Sequence, residues 1–495
     1  VIGAGLSGIC AAYHCQKRCP NKSMVVLESR NCLGGTWDLF RYPGIRSDSS
    51  MTTLGFGFNP WQDTRTIAHG SMILSYLQST ATKFGIDKKI RYNEKVIKAN
   101  WSSKDCRYTL EVKHSADKVT KQYTANFLFM CTGYYDYENP YTPPEFDNIG
   151  CFSGPVIHPQ CWDPEFDYHD KRVVVIGSGA TAVTLIPSLV KPKTPLPGAP
   201  EFKYYAKHVT MLQRSPTYII SLPSSDPTNL AVRQSQYIPV WLQNWFIFWR
   251  SVTFGVLLYL YSMRNPAKMK AQIVEAADKH LNEDRPVEEK VDVSKHFTPR
   301  YNPWEQRMCI TPDKEFFDAL RSDQCAVKTD TISKFLPNGI ELTSGEVLEA
   351  DIIITATGLS LKLMGGIDFS VDGKPAKPSQ SILYRDMMMT GIPNAMMCMG
   401  YVNASWTLKC DLTTQLFCRM ISHMDAKGYR ECQVVASEKM ATNLLLALSS
   451  GYVSRAKHLF PMCGDRGPWL RLNNYLVDFF NMNFASVVDK NIVYK

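Results

Sequence analysis

Short apolar runs that stop at glycine turns set the rhythm of this chain. Val173-Val174-Val175-Ile176 runs into Gly177-Ser178-Gly179-Ala180-Thr181-Ala182, and Val1-Ile2 runs into Gly3-Ala4-Gly5-Leu6-Ser7-Gly8. Phe127 to Cys131 precedes Thr132-Gly133, and Ile352 to Ala356 precedes Thr357-Gly358. A brief apolar run without polar alternation reads as a strand buried on both faces, the habit of parallel sheets. Behind the first glycine turn, Ile9 to Gln16 reads as helix and Met24 to Leu27 as the next strand. Behind the second turn the following strand is Val209 to Gln213, so each turn heads a βαβ unit. A short strand is also expected at Lys95 to Lys98.

Residues 222–298 break this rhythm and read as a helical insertion capping a pocket. Trp241, Trp245, Phe246, Phe248 and Trp249 precede the apolar stretch Val252 to Tyr261, and Arg264, Lys268 and Lys270 follow. A membrane-spanning helix needs about 20 predominantly apolar residues. Gln243, Asn244 and Arg250 interrupt this one, which argues against crossing. An interfacial helix pair in peripheral membrane contact and an apolar insertion packed over the core both stay open.

The fold class is therefore α/β, with two dinucleotide-binding (Rossmann-like) domains, the second inserted in the first. Expected boundaries are 1–150 for the first part of one domain and 151–171 for a linker. The second domain takes 172–345 with its helical insertion, and 346–495 returns to the first. A strand feeding a glycine turn usually needs about five residues. The start at Val1 thus reads as lacking a short N-terminal piece, with any targeting signal there unread.

Composition narrows the function. At 45% hydrophobic and 20% charged, 495 residues suit a globular enzyme. The net charge of +9 is spread without a basic arm, so nucleic acid is not an expected partner. The 15 cysteines show neither zinc spacing nor a disulfide framework, which leaves no expected metal and points to a reducing, intracellular compartment, cytoplasmic or at a membrane face.

The glycine turns supply the chemistry. Gly3, Gly5 and Gly8 allow a tight turn and close approach to a pyrophosphate, and Glu28, ending the second strand, can accept from ribose hydroxyls. At the second turn Gly177 and Gly179 repeat the pattern, but the residue after the second strand is Arg214, followed by Ser215. A guanidinium there grips a 2′-phosphate that a carboxylate would repel. FAD is therefore expected at the first site and NADPH at the second. A flavin disulfide reductase would carry a redox Cys pair after Gly34-Gly35-Thr36. Trp37 and Tyr42 stand there instead, and Cys10 and Cys15 lie on different faces of the first helix.

Further segments carry a family resemblance. Phe152-Ser-Gly154-Pro-Val-Ile-His158-Pro-Gln-Cys-Trp162-Asp163 has the spacing F-x-G-x3-H-x3-W-D, similar to the fingerprint of the type I Baeyer–Villiger flavin monooxygenases. Gly34 to Asp48, Tyr301-Asn-Pro-Trp-Glu-Gln-Arg307, Asp351 to Gly358 and Gly400 to Trp406 resemble the thioamide-activating mycobacterial branch of that family. The resemblance runs over nearly the whole chain and is weakest from about 223 to 294. It implies that Ser7, Glu28, Thr36, Trp37 and Asp48 contact FAD, with Val96 touching its adenine end by backbone. It implies that Gly177 to Val183, including Ala182 and Val183, hold NADP with Arg214 and Ser215. Arg307 would be the catalytic arginine, with Asp48 fixing its direction, and His158 would couple domain motion to the flavin. The implied reaction inserts one oxygen of O2 into a small lipophilic ketone, or oxidises a sulfide or thioamide, through a C4a-peroxyflavin.

Elementary chemistry supports Arg307 independently. An anionic oxygen species must be held without being protonated, and a guanidinium is permanently cationic and keeps its proton. One departure is Gln306, where many relatives carry a lysine that helps bind the 2′-phosphate; the NADPH expectation then leans on Arg214, with Lys207 or His208 near it. Two rival activities remain, an S- or N-oxygenating enzyme without ketone insertion and an NADPH oxidase releasing hydrogen peroxide. Substrate and oligomeric state are not written in the chain.

Overall fold

The computed structural model describes residues 1–115, 117, 119–192, 202–437, 439–446 and 448–495. Residues 193–201, inside the expected second domain, lie outside the described residues.

The first module is a parallel sheet wrapped by helices. Ala395–Met397 pairs with Leu128–Met130, Ile2 bridges both Met130 and Leu27, and Val26–Leu27 pairs with Ile90–Arg91. The strand expected over Met24 to Leu27 shortens to its last two residues, because only these find partners in Ile2 and Ile90–Arg91. Helix Leu6–Arg18 exceeds the expected Ile9 to Gln16 and contributes eight buried residues to the core. An antiparallel sheet built on Glu94–Ser102, Arg107–His114 and Thr120–Ala125 flanks this module, so the strand expected at Lys95 to Lys98 is nine residues long.

The second module is a five-stranded parallel sheet in the order Cys325–Thr329, His208–Gln213, Arg172–Ile176, Ile352–Thr355, Val156–Ile157. Its central strands are buried Val and Ile on both faces, as their unbroken apolar runs require. Ile352–Thr355 lies in this second sheet, paired in register with Arg172–Ile176. The boundary expected at 345/346 is therefore misplaced, and the chain leaves the second sheet at Thr357-Gly358. Val156–Ile157, expected in a linker, forms the edge strand.

The insertion is helical as expected, with helices Pro227–Gln234, Val240–Arg264, Pro266–Asn282 and Val293–His296. Val240–Arg264 runs unbroken through Gln243, Asn244 and Arg250. Its polar side chains turn toward the protein: Gln243 donates to the Ser235 and Ile238 carbonyls, and Arg250 pairs with Asp226 at 2.9 Å. Among the described residues it alone is long and apolar enough to cross a membrane, by length and composition.

Candidate functional site

A cavity of about 410 Å³ opens over the first glycine turn and gathers residues from both modules. Gly3 sits at φ +102°, and a Cβ there would lie 2.5 Å from the Cys131 carbonyl oxygen. A Cβ on Gly8 would lie 1.8 Å from the Gly3 oxygen, so Gly8 packs helix on strand and does not reach the cavity. Gly5 differs: a Cβ there meets Gly35 Cα only at 3.5 Å, an ordinary contact, and the residue lines the cavity. The turn thus spends two glycines on its own packing and keeps one open to a ligand. The Glu28 carboxylate accepts from the Ala4 amide at 2.7 Å and the Arg30 amide at 3.0 Å, fixed at the cavity wall where a ribose would sit.

Of the other expected first-site residues, Asp48 stays outside the cavity lining and four converge there. Ser7, Thr36, Trp37 and Val96 line the same cavity. Ser7 Oγ accepts from the Trp406 indole at 2.8 Å, and Thr36 Oγ1 and Tyr137 Oη lie 2.9 Å apart. The free Gly5 face, the pinned Glu28 and the open amide end of Leu6–Arg18 fit FAD.

Arg307 lines this cavity too, although some three hundred residues separate it from the glycine turn. Its Nε is buried without a hydrogen-bond partner. The Tyr134 phenol above all, then Tyr452, Tyr135 and the Asp48 carboxylate, hold its pKa above the usual arginine value. Its segment is anchored on both sides. Tyr301 Oη lies 3.1 Å from Thr217 Oγ1, and the Trp304 ring packs edge-on to Tyr259 of the long helix at 5.3 Å. Trp304 adopts φ +72°, a strained value for a bulky residue. Such strain survives where the surroundings over-determine it, and here it sits three positions before the guanidinium.

Asp48 keeps exposed surface while protein surrounds much of its carboxyl group. Burial raises its pKa above the ordinary carboxylate range, opposed by Arg307 and Arg46. It does not cap the helix Met51–Leu54; Ser50 does, accepting from the Thr52 amide. Neighbouring Arg46 is buried, pairs with Glu315 of the second module, and leaves Nη2 without a partner.

The second glycine turn is more open. Gly177 (φ +132°) packs a would-be Cβ at 2.2 Å from the Ala356 oxygen, whereas Gly179 meets nothing within 4 Å. The N-terminus of Ala180–Leu189 is thus accessible to a phosphate, with Ser178 Oγ donating to the Ser215 carbonyl at 2.9 Å. Arg214 is 77% exposed and lies 4.0 Å from the Glu145 carboxylate. Ala182 and Val183, the third and fourth residues of Ala180–Leu189, bury their side chains in the core beneath the turn, so any contact they make with a phosphate is through the backbone. His158 Nδ1 accepts from the Gln160 amide at 3.1 Å, and Nε2 lies 3.3 Å from the Gly358 carbonyl. Burial lowers its pKa, so the ring is a neutral tie between the linker and the second Thr-Gly turn.

Tyr134, Tyr135 and Tyr452 around Arg307 escaped sequence reasoning. Their only signal was position, directly after Thr132-Gly133 and inside Gly451-Tyr452-Val453. Tyr134 and Tyr452, with Met399, Leu446 and Leu448, line a small apolar recess against Arg307, while Tyr135 lines the larger cavity.

Comparisons with known proteins accord with this geometry. Residues 1–67 match a family model described as NAD(P)-binding Rossmann-like domain, and 74–218 one described as L-lysine 6-monooxygenase/L-ornithine 5-monooxygenase. The chain is 44% identical over 493 residues to the FAD-containing monooxygenase EthA of Mycolicibacterium smegmatis, covering 99% of this chain and 96% of that one. It is 42% identical over 482 residues to the probable FAD-binding monooxygenase AlmA of an Acinetobacter species, covering 97% and 92%. In fold it is similar to an oxidised steroid monooxygenase bound to NADP, with TM-score 0.74, 19% identity and 100% and 98% of the two chains covered.

Proposed function

Because the chain belongs to the family of FAD-containing monooxygenases, we propose that it uses NADPH and O2 to insert one oxygen atom into lipophilic ketones and to oxidise sulfides or thioamides. The ketone reaction balances as ketone, O2, NADPH and a proton giving ester, water and NADP. The observation that carries it is Arg307 lining the cavity of the first glycine turn. Bound there, FAD would take electrons from NADPH and pass them to O2.

The chain's residues do the rest. Gly5, Ser7 and Glu28 orient the dinucleotide, and Thr36 and Trp37 border its reactive end. The open helix end at Gly179, with Arg214 and Ser215, holds NADPH. Arg307 faces developing negative charge as a fixed cation that cannot donate its proton away, and losing such a stabiliser costs about 10²–10³ in rate. Asp48 balances its field and sets its direction. Tyr134 and Tyr135, which line the cavity with Arg307, limit water beside its guanidinium.

The Arg307 setting favours ketone insertion over S- or N-oxidation alone. Phenylacetone or a long-chain 2-ketone assayed beside a thioether separates these. Ester formation coupled to NADPH supports the reading, whereas sulfoxide without ester, or hydrogen peroxide equal to NADPH consumed, overturns it. All 15 cysteines are free, which supports a reducing compartment, cytoplasmic or at a membrane face, and the exposed apolar residues of helix Val240–Arg264 favour a peripheral place on the membrane.

A further inference from the structure

We infer that the outer face of helix Val240–Arg264, continued by helix Tyr475–Asn483, is a docking surface for an anionic phospholipid bilayer; this rests on the peripheral location proposed above and gives it a site and a lipid class. The long helix presents Trp245, Phe254 and Leu257 outward, at 57%, 67% and 61% exposure, while Ile247 and Val252 turn into the protein. Trp249 packs edge-on against Phe479 at 5.0 Å, and beyond it Phe480 and Phe484 stack at 6.2 Å on the surface. Two segments more than two hundred residues apart thus build one apolar platform. Contiguous exposed apolar side chains on a folded protein mark an interaction site.

Charge selects the partner. From Pro227 through Val274 the chain has no Asp or Glu, yet carries Arg233, Arg250, Arg264, Lys268 and Lys270. Arg264 and Lys268 are exposed at the end of the platform, and among the described residues neither makes an ion pair. A second copy meeting this face by a two-fold contact would bring the same unpaired Arg264 and Lys268 from both sides. An anionic headgroup layer supplies the missing countercharge, and indole and phenyl rings settle at its boundary with the acyl chains. The helix lies flat and does not cross, because Ser251 accepts from Thr52 Oγ1 at 3.0 Å and Arg250 pairs with Asp226 on its inner side.

The test uses FAD-loaded protein sedimented with phosphatidylcholine vesicles, with or without phosphatidylglycerol. Its variants are Trp245→Ser/Phe254→Ser/Leu257→Ser and, separately, Arg264→Glu/Lys268→Glu. Circular dichroism, flavin absorbance and NADPH oxidation establish that each variant is folded. The expected result is binding to the anionic vesicles, weakened by salt and reduced about tenfold or more in both variants. Wild-type binding that the variants share leaves the membrane location standing and removes this surface. Failure of the wild type to bind at low salt removes both, with the monooxygenase reaction read independently from product. A dimer in sedimentation velocity that the triple variant dissociates, without vesicle binding, overturns the inference in favour of a second copy.

Discussion

Asp48 lies within electrostatic reach of Arg307, and the balance of charge between them depends on pH. Burial holds the Asp48 carboxyl above the ordinary carboxylate range, so acidification protonates it early and leaves Arg307 without its countercharge. We expect kcat/KM for ketone to fall on the acid side with an apparent pKa above that range, and Asp48→Asn to abolish this limb. An unchanged acid limb in the variant would remove Asp48 from the pair. His69 acts on stability. Burial, then Arg46 and Arg65, lowers its pKa from 6.5 to about 4, and its Nδ1 has no partner. Between those values the unfolded chain binds the proton more readily, so stability is fully present above 6.5 and declines as pH falls toward 4. The loss is at most about 3 kcal/mol. Urea titrations at pH 8 and pH 5 should show this difference in wild type and a smaller one in His69→Gln. At this scale Glu28 and Arg307 were legible, because a turn and a segment spacing fix where they point. Arg46, His69 and the three tyrosines were not, since nothing local marks a side chain that meets its partners across modules.

Among the elements, the first turn separates two uses of glycine. Gly8→Ala forces a Cβ to 1.8 Å from the Gly3 oxygen and should destabilise even the flavin-free protein by about 1–3 kcal/mol. Gly5→Ala meets Gly35 only at 3.5 Å and should leave thermal stability nearly unchanged while weakening FAD binding. Thermal unfolding without flavin, beside a flavin titration, checks both, and equal destabilisation would erase the distinction. The βαβ units were readable because buried parallel strands announce themselves as unbroken Val and Ile. The membership of Ile352–Thr355 was not, since strand order is decided by pairing with Arg172–Ile176 and not by the strand's own residues. The long helix likewise looked interrupted, because sequence cannot say that Gln243 and Arg250 find partners on the protein side.

In the whole molecule, Arg46 with Glu315 ties the two modules, and Arg307 carries the second module to the wall of the cavity. Nicotinamide preference also belongs to this scale, since Arg214, the proposed grip on the 2′-phosphate, stands exposed on the second module. Arg214→Ala should raise KM for NADPH about tenfold and leave NADH nearly unaffected. A parallel rise for both would assign the preference elsewhere. The central claim is that a fixed guanidinium over the flavin site governs oxygen insertion. Its most direct test reduces wild type and Arg307→Ala with NADPH without oxygen, admits O2 with phenylacetone, and counts ester against hydrogen peroxide. The account predicts similar reduction in both proteins, with ester lower by about 10²–10³ in the variant and its electrons recovered as peroxide. Undiminished ester from Arg307→Ala would contradict it.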